Sequence, residues 1–412
     1  MILIKACYKT FQGGILSYVL AIATLVTAGL SMLILYVYYT RTEYLFYKRK
    51  ERLQTNLELG INIILTNYAA FDYDQLTNYD LLGDRQDSIF ISRSKWGLLD
   101  IVEIGAFHLQ DTLKQKIAIV HELDNKAKGA IHLIDDGRPL TIAGDTKLTG
   151  DCFLPVSGVQ TGFVGRVGYT NDKLIYGEEK RSEKELPEVS LKETFKWLED
   201  QDLYESEFNI DSVVWSFYQE PMLVEKSDTM SRFYKGNIVI RSDDRLVIGP
   251  KARTRQIIAY APVIEFLPGF EGEGQFFATD TIIVRKDVSL QYPSILAVYN
   301  EDDISTIYVE SQAVVNGYMM IAGGQDGFRR RIIHLQDDST FEGMMYCNGL
   351  AELYGDILGH VTTKRFLVNS QNGVAENFLF NASINFTEMD TSFLALSEWF
   401  FEEKASVLEY LE

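Results

Sequence analysis

Residues 10–40 contain no charged side chain, and no proline occurs before Pro139. From Phe11 to Tyr39 the run is almost wholly apolar. An α-helix rises about 1.5 Å per residue, so about 20 residues cross a hydrocarbon core of about 30 Å. The run predicts a retained single membrane helix, because the apolar core of a cleaved signal peptide covers only about 7–15 residues. This arrangement excludes a freely soluble enzyme.

Cysteine and histidine are scarce. The three cysteines, Cys7, Cys152 and Cys347, are too few and too scattered for a zinc site or a disulfide framework. One Cys152–Cys347 bridge remains compatible with the sequence, although burial as small apolar residues is the more common role. The five histidines show no metal-ligand spacing and are His108, His121, His132, His334 and His360. We therefore expect no cofactor, no metal site and no catalytic residues.

Basic residues are in the minority. After residue 40 the chain carries 37 Lys and Arg against 58 Asp and Glu, and the whole chain has a formal charge of −19. An acidic surface repels phosphate backbones, so nucleic acid is not an expected partner. Clustered acids on a groove would instead suit a carbohydrate-binding or carbohydrate-active protein, which is one alternative function.

The helical pattern continues beyond the membrane run. Apolar residues between Leu45 and Leu65 recur at helical steps with charged residues between them, which predicts a one-sided amphipathic helix. We expect a membrane helix and stalk over 1–68. Alternating residues over 69–128, as in Asp87–Arg93, then predict a small antiparallel strand region.

Short strands separated by turn residues follow over 129–177 and again over 236–369. Gly317, Gly343, Gly355 and Gly359 are predicted to hold equivalent corners, where backbone angles disfavour a side chain. This rhythm favours a β-solenoid, with first coils at 129–177 and the main coils at 236–369. A twisted sandwich is the alternative, because Asn-Gly turns also occur in this region.

An acidic helical insertion is predicted at 178–235 and a C-terminal cap at 370–412. The insertion carries a short helix after Ser190, and apolar spacing from Leu394 to Leu411 predicts an amphipathic helix in the cap. Aromatic residues in both segments either tether them to the body or dock on a partner. The candidate docking residues are Trp197, Trp215, Phe217, Trp399 and Phe400.

The stalk resembles that of type IV pilins and secretion-system pseudopilins. The resemblance rests on the long apolar first half, the one-sided second half and the strands that follow. It implies processing at Gly14-Ile15, although the acid usual five residues into the mature helix is absent around Val19. The glycine-punctuated coils, especially Ser339–Val361, are similar to the β-solenoid of bactofilin-type polymer-forming proteins, which are non-catalytic scaffolds.

These resemblances imply a non-catalytic, membrane-anchored assembly subunit of a bacterial secretion or pilus-type apparatus. The expected partners are membrane lipid and either other membrane-assembly subunits or further copies of the chain. The body would lie in the periplasm, anchored in the inner membrane. A cytoplasmic bactofilin-like scaffold is the alternative, because basic residues at 41–52 follow the apolar run. The helix residues expected to carry membrane insertion and assembly are Ile15, Val19, Leu20, Val26, Leu30 and Leu35.

Overall fold

The structure is a computed structural model of a mostly β chain with one long N-terminal helix. It divides into two compact units. The first comprises Met1–Gly60, Asn78–Phe90 and Gly105–Lys114, and the second comprises the remainder. The residues that the structure describes are 14–81, 83, 87–123, 127–200, 212–225, 229–301, 304–324, 327–370, 373–390, 393, 395–396 and 401–412.

The N-terminal helix α1 spans Ile15–Thr66 without a break. It has no proline, and its two glycines, Gly29 and Gly60, do not interrupt it. A helix of 52 residues is about 80 Å long at about 1.5 Å per residue. The predicted continuous rod is therefore confirmed.

Four strands follow the helix: β1 (Leu76–Asp80), β2 (Asp87–Trp96), β3 (Leu99–His108) and β4 (Asp111–Leu123). Two-residue connections join β2 to β3 and β3 to β4, and such short connections allow only antiparallel pairing. The predicted small antiparallel sheet is confirmed.

The C-terminal segment is a strand, β29 (Phe401–Leu411), and the prediction of a helix there is wrong. Strand β29 pairs antiparallel with β4 and gives the sheet order β1-β2-β3-β4-β29. The physical reason is that β4 offers an unpaired backbone edge, whereas a short helix has little stability of its own. Leu394, Trp399 and Phe400 lie outside the described residues.

Strands of two to 15 residues and the eight-residue helix α2 make up most of the described remainder of the second unit. They are β5 (Ile131–Leu133), β6 (Leu140–Ala143), β7 (Lys147–Thr149), β8 (Cys152–Leu154), β9 (Val159–Thr161), β10 (Phe163–Val164), β11 (Val167–Gly168), β12 (Glu179–Arg181), α2 (Lys192–Glu199), β13 (Ser212–Trp215), β14 (Met222–Glu225), β15 (Phe233–Arg241), β16 (Arg245–Ile248), β17 (Arg253–Phe266), β18 (Glu271–Gly272), β19 (Gln275–Val284), β20 (Ser289–Tyr299), β21 (Ser305–Val309), β22 (Val314–Ala322), β23 (Arg331–Leu335), β24 (Thr340–Leu353), β25 (Asp356–Ser370), β26 (Gly373–Glu376), β27 (Phe378–Phe380) and β28 (Ser383–Asn385).

Most of these strands pair in parallel and close into a barrel-like body. The register of the parallel strands places equivalent side chains in columns. Inside the body, an apolar side chain of one layer therefore packs on the equivalent side chain of the next layer. One such column is buried from Ile240 to Cys152, and its residues run in the spatial order Ile240, Ala259, Phe276, Leu296, Met319, Met345, Val361, Ile131 and Cys152.

The order of layers in this stack is not the order of the chain. Strand β5 pairs with β25, so Ile131 stands beside Val361, and β8 follows β5. The layers at 131–154 therefore continue from β25, the last long strand of the stack, and among the described strands no ladder joins them to β15. Strands β13 and β14 pair with β15 at one end of this stack, and β12 pairs with β8 at the other, with α2 between them in the sequence.

Three glycines stand in register where backbone approaches backbone. Gly317 pairs with Gly343 and Gly343 with Gly359, inside β22, β24 and β25. A Cβ on Gly343 would lie 1.9 Å from the Gly317 carbonyl oxygen, and its φ of +135° is also unfavourable for a side chain. The predicted equivalence is confirmed for these three and wrong for Gly355, which lies in the turn before β25, against Ser339.

Replacing Gly343 by Ala should cost about 3 kcal/mol of stability, because both the close approach and the positive φ resist a Cβ. Gly373→Ala is the matched control, since Gly373 has a φ of +124° but no atom within 4 Å of a built Cβ. Urea unfolding of the full chain in detergent, followed by fluorescence, measures both. Equal losses in the two variants would show that the close approach does not matter.

One outer face of the parallel sheet is covered by the insertion. Tyr260, Phe277, Ala297, Met320 and Tyr346 form an outward column in the same second cluster of buried residues as the apolar side of α2. The ring centroid of Phe195 lies 6.0 Å from that of Tyr260 and 5.6 Å from that of Phe277. The insertion helix is thus attached to its own body.

The C-terminal strand is fixed to this face by a charged group of three residues. Arg255 lies between two carboxylates, 3.3 Å from Glu273 and 3.0 Å from Glu409 of β29. Burial, and then the negative charge of Glu409, raise the pKa of Glu273 to about 7, against the opposing charges of Arg255 and Lys235. Ionised Glu273 is therefore unfavourable in the folded chain.

Folding raises the pKa of Glu273, so the folded chain binds the proton of this carboxyl more tightly than the unfolded chain does. The contribution of Glu273 to the free energy of unfolding is therefore complete below about pH 4.5 and is lost as pH rises through about 7. We expect Glu273→Gln to remove about 2 kcal/mol of the pH dependence of unfolding between pH 5 and pH 8. Thermal unfolding of both proteins across this range tests it. Parallel pH profiles in the two proteins would contradict the assignment.

Candidate membrane and assembly helix

The first half of α1 is the leading candidate for the functional site. Among the described residues α1 is the one helix long and apolar enough to cross a membrane, and none of its apolar window is buried. More than half of the surface of each predicted assembly side chain is exposed. These residues are Ile15, Val19, Leu20, Val26, Leu30 and Leu35.

The serine and threonine hydroxyls on this half of the helix bond to backbone carbonyls of preceding residues. Thr24 and Thr27 donate their hydroxyls to the carbonyls of Ala21 and Ala23, each at 2.8 Å. Ser31 and Thr40 do the same to residues four positions before them. A hydroxyl bonded in this way does not need water, so the surface suits a hydrocarbon environment.

The predicted processing position lies where the helix begins. Gly14 immediately precedes α1, and its carbonyl accepts hydrogen bonds from both the backbone N–H and the hydroxyl of Ser17, each at 2.8 Å. A built Cβ on Gly14 meets no atom within 4 Å. Residues 1–13, including Cys7, lie outside the described residues.

The second half of α1 is attached within the first unit through a buried carboxylate. Asp87 is fully buried and accepts hydrogen bonds at 2.9 Å from Asn56 and His108. Arg52 forms an ion pair with it. Burial alone would raise the pKa of Asp87, but these three partners hold it below its ordinary value.

Asp87→Ala should destabilise the chain by about 3–5 kcal/mol, because it removes a buried ion pair and leaves Asn56 and His108 without their acceptor. Glu51→Ala removes the exposed Lys48–Glu51 pair and should cost less than about 1 kcal/mol. Denaturant unfolding of the full chain distinguishes them. A small, similar loss in both variants would mean that Asp87 does not anchor the helix.

A second buried charge lies in the second unit, just beyond α1. The guanidinium of Arg93 lies between two rings, 3.7 Å from the centroid of Tyr68 and 3.8 Å from that of Tyr73. It donates to Asp100 at 3.0 Å and to the Phe71 carbonyl at 3.1 Å. Cation–π contacts and a charge-assisted hydrogen bond together fix the chain after the helix.

The aromatic residues predicted to dock on a partner differ in their burial and in their contacts within the chain. Phe217 is 2% exposed, packs edge-on against Trp96 and donates its N–H to the Glu412 carbonyl. Trp215 donates its indole N–H to the Glu220 carbonyl at 2.8 Å. Trp197 is half-buried beside the outer face covered by α2. Contacts within the chain thus account for Phe217 and Trp215, while Trp399 and Phe400 lie outside the described residues.

The described residues hold no group of three His, Cys, Asp or Glu side chains arranged to bind a metal ion. Cys152 and Cys347 are both free and buried, and burial raises the pKa of each thiol to about 12. These thiols are therefore poor nucleophiles. His360 is fully buried, and burial lowers its pKa to about 3, so it is a neutral structural residue.

The structure also contains a cluster of aromatic and charged side chains on the β body that the sequence analysis did not predict. Tyr308 and His334 are stacked with centroids 4.8 Å apart, and His334 Nδ1 lies 2.9 Å from Glu352. Register alone brings these residues together, since Tyr308 pairs with His334 and His334 with Glu352. Beside them Arg285 bridges Glu265 and Glu310, each at 2.6 Å. The group stabilises neighbouring layers of the stack.

Comparison with known proteins gives no further constraint. No protein-family model, no curated protein and no solved structure matches this chain.

Proposed function

We propose that this protein is a membrane-anchored, non-catalytic structural subunit that assembles through its N-terminal helix. The observation that carries the proposal is the exposed and apolar surface of α1 from Ile15 to Tyr39, whose serine and threonine hydroxyls bond to backbone carbonyls. Exposed apolar area of this extent is unfavourable in water and is stabilised by lipid or by other helices.

Two features favour a pilin-like role. The helix continues as one rod well beyond the apolar run and leads directly into an antiparallel sheet. Its second half is fixed by the buried Asp87, so force on the apolar half would be transmitted to folded structure. Such a rod could exchange lipid contacts for contacts with neighbouring subunits of a secretion or pilus-type apparatus.

The body would then serve as a stiff scaffold. We interpret its in-register parallel layers as a β-solenoid, in which stacked apolar columns form one continuous core. In the periplasm this body would present the assembly to its surroundings. With the same body in the cytoplasm, the protein would be a bactofilin-like tethered scaffold, which the parallel stacking also supports.

The double variant Leu20→Arg with Val26→Arg should be released from membranes, because each arginine costs about 2.5–3.5 kcal/mol in the middle of a membrane helix. Tyr47→Arg is the control, since Tyr47 is exposed on α1 but lies beyond the apolar run. Resistance to alkaline extraction and chemical cross-linking of neighbouring helices are the measurements. Normal retention and cross-linking of the double variant would rule out assembly through this surface.

The membrane topology of the chain distinguishes the periplasmic pilin-like subunit from the cytoplasmic bactofilin-like scaffold. A single reactive cysteine at Asn171, with the native cysteines replaced, is labelled in intact cells by a reagent that does not cross the inner membrane. Labelling after permeabilisation of the outer barrier favours the pilin-like subunit. Labelling only after lysis favours the cytoplasmic scaffold.

A further inference from the structure

We propose that a cleft beside helix α2 binds a saccharide ring. The cleft has a volume of about 310 Å³ and lies within the second unit. Two aromatic side chains, Tyr73 and Trp197, line it together with Asp74, Lys95 and Glu193. Its size is at the lower end of the range for small-molecule sites. The site is additional to the membrane role proposed for α1 and does not depend on it.

The aromatic and acidic groups are held in place before any ligand arrives. The Tyr73 hydroxyl bonds Asp100 at 3.1 Å, and the buried Arg93 packs on the Tyr73 ring. Asp74 has a φ of +57° and donates its N–H to the Arg93 carbonyl at 2.7 Å. Glu193 and Trp197 are four residues apart on α2 and therefore lie on one side of the helix.

The polar groups indicate the class of ligand. Within the described part of the chain, the carboxylates of Asp74 and Glu193 have no ion-pair or hydrogen-bond partner. The Lys95 ammonium lies 5.0 Å from the centroid of Tyr73 and brings a positive charge to the same cleft. Two carboxylates repel anions, and the ammonium opposes cations. An uncharged polar ligand fits this mixture best.

A sugar ring satisfies both kinds of surface. Its C–H face packs on an aromatic ring, while its hydroxyls donate to carboxylates and accept from an ammonium. A purely apolar ligand would leave the charged groups desolvated without partners, which is unfavourable. The cleft is therefore built for a ring with one apolar face and a polar edge.

The test is calorimetric titration of the full chain, in a detergent without a sugar headgroup, with tetra-N-acetylglucosamine and with cellotetraose. The variant combines Asp74→Asn with Glu193→Gln and should bind the active sugar about tenfold more weakly. Asp172→Asn with Glu388→Gln is the control, because both residues are exposed acids and the charge change is the same. The control should bind like the unaltered chain.

Binding of either tetrasaccharide, weakened in the variant and not in the control, supports the proposal and identifies the preferred sugar. Absence of binding by both sugars overturns it, as does equal affinity in the variant. Tetramethylammonium is titrated as well. Binding of this cation without either sugar would show a cation site and would also overturn the proposal.

Discussion

Close approach of one backbone to the next governs the β body. Parallel strands lie about 4.8 Å apart, and at Gly317, Gly343 and Gly359 the chain leaves no room for a Cβ between layers. Because these three residues are in register, they fix the alignment of every column beside them. A slip of one residue would turn the apolar interior outward. The buried columns, the outer aromatic column and the covered face all depend on this alignment.

Each of the two units contains a buried charged side chain that gathers several partners. In the first, Asp87 gathers Arg52, Asn56 and His108 and attaches the helix to the strands. In the second, Arg93 is held by two tyrosines and Asp100. Both buried charges are compensated by an ion pair and by hydrogen bonds, which is the condition under which burial of a charge is tolerated. The chain thus uses polar anchors where a long helix meets a sheet.

Local patterns in the sequence were sufficient for some elements and not for others. The rod at 15–66 and the strands of the first sheet follow from helical and alternating periodicity, which depends only on neighbouring residues. The C-terminal strand was missed because its partner, β4, lies almost 300 residues earlier. Gly343 follows Gly317 by 26 residues but precedes Gly359 by 16, so no constant repeat marks the layers. The cleft that contains Trp197 depends on Tyr73 and Lys95, which only the fold brings near.

The non-sequential stack has a consequence for biosynthesis. Residues 131–154 emerge early, yet the edge on which they pair belongs to β25. Until residue 363 has been made, the first layers present unsatisfied backbone edges, which are prone to wrong pairing. The strands from β15 to β24 pair in the order in which they are synthesised, as in a sequential repeat protein, whereas β5 lacks its neighbour until β25 has been made. The layers at 131–154 would therefore wait for β25, and a chaperone that holds them until then would prevent wrong pairing.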